Sequence, residues 1–168
     1  MLKIPVSPAA LGAGLVVVAA GIGIAFYIQR DEFIELRGSI LKVRTQAMDE
    51  ASAVVIIDFR FANPSIHPFV VKQVDVLLED KDGKALEGKF VPESDAQRLF
   101  QYYPVLGQKF NDTLRTRDKV PSRSTWDRMV ASRFEVPDAS LQSRRKLTVR
   151  ITEVDGAVSE VVEAGAPR

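Results

Sequence analysis

The stretch VVIIDFRFANPSIHPFVVKQVDVLLEDKDGK, residues 54–84, holds two alternating runs with a proline corner between them and a turn at its end. In 53–63, Val55, Ile57, Phe59 and Phe61 share one parity and Asp58 and Arg60 the other. That is the pattern of a strand with one face in a core. Asn63-Pro64 stops the strand, because Pro has no N–H for the ladder and Asn bonds a turning backbone. Pro68 makes a second corner. In 69–79, Val70, Val74, Val76 and Leu78 share a face, and residues 80–84 predict a hairpin turn with Gly83 at positive φ.

The alternation extends outward on both sides. Residues 34–46 place Ile40 on one face and Leu41 and Val43 on the other, with Gly38 expected as a bulge. Residues 119–136 give Trp126, Val130, Phe134 and Val136 one parity. Residues 145–163 give Leu147, Val149 and Ile151, a turn at Asp155-Gly156 and a last strand near 157–162. Between these, Ser94 and Gln97 read as a capping box, Ala96, Leu99, Phe100 and Tyr103 fall at helical spacing, and Pro104 ends the segment. Residues 105–118 read as a polar loop. The expectation is a mainly β fold: an antiparallel β-sandwich over 34–163, with a short helix and loop inserted at 92–118.

The front of the chain is different. Val6 to Gln29 is uncharged throughout, 24 residues, enough helix to cross a hydrocarbon core with some tilt. A transmembrane α-helix is expected at 8–28, after an N-terminal tail (1–7) and before a juxtamembrane linker (29–33); residues 164–168 form a C-terminal tail. A cleaved signal peptide ending at Ala19 is the alternative, but the apolar run continues past it for longer than such segments need. Small residues four apart, among them Gly14, Gly21 and Gly23, mark a candidate helix-docking face. The Lys and Arg count of the flanks favours a cytoplasmic domain; because folded domains translocate regardless of such charges, and in line with the resemblance below, an extracytoplasmic domain is expected.

Of 22 acidic and 23 basic residues, only Lys3 precedes Arg30, so the charges after the apolar run cancel. That removes the electrostatic case for nucleic acid as the main partner. With no Cys, disulfides, thiolate sites and Cys nucleophiles lack the residues they need; with a single His, zinc chemistry is nearly excluded and any triad would have to use His67. No catalytic, cofactor-binding or metal site is expected, and no small-molecule substrate.

The opening strand with Gly38, the long strand closed by Asn63-Pro64, the apolar Phe69–Val71 entering the next strand, and the GKALEG segment at 83–88 together resemble the late embryogenesis abundant type 2 domain, also called the water-stress and hypersensitive-response (WHy) domain. The resemblance covers residues 34–90 best. It implies a fibronectin type III-like sandwich, often behind one N-terminal apolar segment, acting without catalysis in stress tolerance or envelope upkeep.

The candidate partner-contact residues are Phe100, Tyr102, Tyr103 and Phe110, since a helix cannot bury Phe100 and Tyr102 on one face. Core cover is the expectation for Phe100 and Tyr103. His67 reads as a solvated corner residue, and Asp80 and Asp82 as a hairpin tip rather than a calcium loop. Arg115, Arg117, Lys119, Arg123 and Arg128, with Arg144, Arg145 and Lys146, read as a solvated mixed surface, since Asp112, Asp118 and Asp127 lie among the first group; contact with anionic headgroups is the alternative if they face a bilayer. The chain is thus expected to be a single-pass, membrane-anchored binding or structural module contacting lipid and a protein partner. The alternative is an accessory subunit docked in a larger membrane complex through its helix.

Overall fold

The computed structural model describes residues 18–24 and 35–163. The chain divides into two units, Met1–Phe33 and Ile34–Arg168. In the first, 18–24 is helical (α1) and exposes Val18, Ile22 and Ile24. Among the described residues no helix is long and apolar enough to cross a membrane. Apart from 18–24, the span expected at 8–28 lies outside the described residues, as do Gly14, the tails and the linker.

The second unit is mainly antiparallel β. Its strands are β1 (Arg37–Ala47), β2 (Ala53–Asn63), β3 (Phe69–Glu79), β4 (Ala85–Val91), β5 (Lys119–Val120), β6 (Ser124–Phe134), β7 (Lys146–Glu153) and β8 (Val158–Val162). They run in the order β1-β2-β6-β4-β3-β7-β8, with β5 beside β3. The sheet curls so that β1 returns to β8, where the Leu36 N–H donates to Ser159 Oγ at 2.8 Å in a buried site. The result is a nearly closed, barrel-like sheet.

β4 makes the curl. Its first half pairs with β3 (Val76↔Gly88 to Glu79↔Ala85) and its second half with β6 (Lys89↔Arg133 to Val91↔Ala131). The strand changes neighbours at Gly88, where an added Cβ would lie 2.6 Å from the Phe134 ring and against Ser132 Oγ. Only glycine lets the two halves approach this closely.

Phe59, Phe61, Phe69, Val76, Phe134, Leu147, Val149 and Ile151 fill the interior with no or almost no exposure. Burying such side chains, at roughly 1.5–3 kcal/mol each, is the main force holding the sheet closed. A helix after β6, α3 (Asp138–Gln142), contributes Leu141 to the same core. Arg144 follows it, almost wholly buried, holding the Leu141 carbonyl at 2.7 Å and the Glu163 carboxylate at 2.8 Å. Nothing in the alternation pointed to β4 or α3.

Several expectations are corrected. The irregularity in β1 falls between Ile40 and Lys42 and not at Gly38. It puts Ile40 and Val43 on the same side, both packed on the main core, and leaves Leu41 exposed. Gly38 is needed for close approach, since a Cβ there would strike the Arg60 carbonyl. The capping box does not form: α2 (Glu93–Tyr102) starts two residues earlier, after Pro92, with no side-chain cap. Residues 105–118 are only partly polar loop, because Leu106, Thr113 and Leu114 are buried and Thr113 bridges to Met129. β2 is buried on both faces. Ile56 and Asp58 lie as deep as their core-facing neighbours because the 92–118 insertion covers them, and Val54 is buried as well.

Candidate functional site

The insertion is the feature that a closed sheet does not need. α2 lies on the outer face of β2 and β6, where Ala96 and Leu106 join Ile56, Met129 and Ala131 in a second apolar cluster. Leu99, Phe100 and Tyr103 pack against it, partly buried. α2 is amphipathic because these residues recur at helical spacing, and the helix stops at Pro104, which opens a 3₁₀ turn, Pro104–Leu106.

Polar contacts fix the segment at three places. Arg44 projects from β1 and donates to the Leu106 and Gln108 carbonyls at 2.7 and 2.8 Å, while its other nitrogen meets Asp58 of β2 at 2.6 Å. Asp58 also accepts from Asn111 Nδ2 at 2.9 Å, so both of its oxygens are satisfied beneath the insertion. The Arg44 guanidinium lies 5.0 Å from the Phe100 ring centre and 5.6 Å from that of Phe110. At the start of the helix Glu93 accepts from Lys109 Nζ at 2.5 Å and from the Thr113 N–H at 3.1 Å, closing the segment on itself. Burial pushes the Glu93 carboxyl up, but the Lys109 and Thr113 hydrogen bonds together outweigh it and hold the group below its ordinary range.

The structure separates the predicted aromatics into two places. Phe100 and Tyr103 cover the second cluster. Tyr102, 78% exposed, meets Tyr103 edge to face at 4.9 Å beside Met48. Phe110, 62% exposed, sits under Lys42 Nζ at 5.3 Å. Val105, 78% exposed, lies on the turn between them in sequence. Met48, Leu99, Tyr102 and Tyr103, with Arg98 and Gln101, line a shallow, largely apolar groove of about 530 Å³. Gly21 and Gly23 of α1 have nothing within 4 Å of an added Cβ.

Arg44, Asp58 and Asn111 are the residues that the sequence did not disclose. Asp58 reads as a solvent-facing residue of an alternating strand, and nothing local marks its partners 14 and 53 positions away. The length of the insertion was the one available signal, since a segment laid over a sheet needs polar partners for its own carbonyls.

The other candidates resolve singly. His67 is exposed, and its backbone N–H and carbonyl are held by Ser65 Oγ. Asp80 Oδ1 accepts from the N–H groups of Asp82 and Lys84, at 2.9 Å each, and Gly83 takes φ 86° in that hairpin turn. Asp127 is held by Arg60 at 2.7 and 2.8 Å, and Arg128 stacks on Trp126.

No family model matches the chain, and no curated protein matches it. A solved structure described as "X-ray structure of Northeast Structural Genomics Consortium target SoR45" is similar at 9% identity and a TM-score of 0.33, over 80% of this chain and 84% of that one. A likeness at that score carries no argument about fold or function.

Proposed function

We propose that the chain is a single-pass, membrane-anchored, non-catalytic module whose late-embryogenesis type 2-like, fibronectin III-like sandwich presents the 92–118 insertion to a protein partner outside the cytoplasm, in envelope maintenance or stress tolerance. The observation that carries this reading is the contrast within the insertion. The segment is fixed to the sheet through Arg44 and Asp58 and closed on itself through Glu93, yet Tyr102, Val105 and Phe110 are held out in water. Rigid, exposed aromatics lose little entropy on binding, which is the character of interface anchors. The anchor itself rests on the uncharged run at 6–29.

A second reading, an accessory subunit docked through the span, is supported by the exposed Val18, Ile22 and Ile24 and by the open space at Gly21 and Gly23. Affinity isolation of the tagged full chain from native membranes tests the pair. Tyr102→Ser with Phe110→Ser abolishes co-purification if the insertion is the contact, and Gly14→Leu, Gly21→Leu and Gly23→Leu leave it intact. The reverse pattern gives the partner to the helix.

A further inference from the structure

The basic positions of the chain are not spread evenly over the β module. Arg144 is buried on Glu163 beside α3, and Arg128 lies on Trp126. Arg117, Lys119 and Arg123 gather instead at the end where β1 begins. There the Arg117 N–H donates to the Val71 carbonyl, Lys119 pairs with Val70, and the Arg123 N–H donates to the Ser65 carbonyl. Asn63 ties the corner together, its Nδ2 donating to His67 and, less closely, to the Val120 and Pro121 carbonyls. All three cations are exposed, and none forms an ion pair among the described residues. The acids at this end do not cancel them. Asp118 is turned inward, accepting from the Arg115 N–H at 2.9 Å, and Glu153 is buried, so Glu35 and Asp155 are the exposed acids against three exposed cations.

Two further features single out this end. Arg117 and Arg123 have φ of 71° and 51°, and they are the two non-glycine residues with positive φ among the described residues. Glycine adopts those torsions more readily, yet both positions carry arginine. Aliphatic side chains also stand out in water between the cations: Ile66 is 65% exposed and Val154 47%, and the Val154 N–H donates to the Val70 carbonyl within the same group of loops.

We infer that this end of the module, Arg117, Lys119 and Arg123 around Ile66 and Val154, is a docking surface for an anionic lipid bilayer. Cations take the headgroup phosphates while exposed aliphatic side chains enter the boundary beneath them. Nucleic acid would use the same cations, but it has no place for aliphatic side chains and favours stacking aromatics, of which none is exposed on these loops. The inference deepens the tethered-module reading by stating which surface faces the lipid and what lipid it prefers.

The absence of cysteine allows a clean test. Full-length chain carrying Ser122→Cys is labelled with an environment-sensitive fluorophore and reconstituted into phosphatidylcholine vesicles with or without phosphatidylglycerol. Lys81→Cys, in the β3–β4 turn, is the control. The expected result is a blue shift of the Ser122→Cys probe in anionic vesicles alone, with the control unmoved. Reversal by R117E/K119E/R123E lowers the docked-to-free ratio about fivefold per cation, on the order of a hundredfold in all. A probe that ignores lipid charge, or ignores the reversal, overturns the inference, as does a shift produced by a DNA duplex and not by anionic vesicles. Alkaline extraction separates the two claims. Chain that washes out yet floats with anionic vesicles in a salt-sensitive way retains the lipid surface and loses the anchor. Chain that stays in while the probe ignores charge retains the anchor and loses the surface.

Discussion

Asp58 and Arg44 form an ion pair that is almost wholly buried, with the remaining acceptor of the carboxylate taken by Asn111. Removing one partner strands the other charge under the insertion. Asp58→Ala should therefore destabilise the module by about 3–5 kcal/mol, read by urea unfolding through Trp126 fluorescence. Arg44→Met combined with Asp58→Leu should lose clearly less than the two single changes added together. Two carboxylates give opposite pH behaviour. The Glu93 carboxyl is lowered on folding, so its contribution is present above the unfolded value of 4.5 and is lost as pH falls through the folded one. Acidification below about pH 4 should loosen the insertion first, seen as earlier proteolysis at 105–118, and Glu93→Gln should show that sensitivity already at neutral pH. Glu153 is raised, chiefly by burial at the end of β7, so the folded chain holds its proton more tightly and stability falls as pH rises through the folded value. Glu153→Gln should stabilise at neutral pH and flatten that dependence, measured as Tm against pH. None of these pairings was legible in the sequence. Asp58 differs from the solvent-exposed Arg60 only in what the remote insertion places over it.

Alternation located β2, β3, β6 and β7 because each keeps apolar residues at alternate positions over most of its length, although a bulge between Val71 and Gln73 turns Phe69 and Val71 to the core in place of Val70. β4 escaped it, as ALEGKFV changes partner sheets midway and keeps no single buried face. The bulge in β1 escaped for a related reason: a one-residue shift between Ile40 and Lys42 reverses the parity on which the reading depends. α2 was read from its apolar spacing, whereas its capping box was not realised because Pro92 already starts the helix. The consequence for β4 is testable. Gly88→Ala forces the Phe134 ring or the β4 backbone to move and should lower stability by about 1–3 kcal/mol, with Phe134→Leu in the same chain restoring part of it. An unchanged urea midpoint for Gly88→Ala would show that the corner is looser than its packing indicates.

On the scale of the molecule, the β module divides its surface by chemistry. The outer face of β2 and β6 is covered by an insertion that holds Tyr102, Val105 and Phe110 in water, and the end where β1 begins gathers exposed cations around Ile66. The mainly β, antiparallel character was readable from 54–84 alone, whereas the nearly closed curl was not, because closure depends on β4 and on the contact between Leu36 and Ser159. On the proposed reading neither surface is the tether, and that role falls to the uncharged run before Arg30. Single cysteines placed in turn along 8–28 of the full chain, and at Lys81, can be challenged with a membrane-impermeant maleimide in native vesicles opened on both sides. A tethered module predicts a continuous shielded block across the span with Lys81→Cys fully reactive. Reaction at every position, or a mature chain whose mass lacks the first residues, would contradict it.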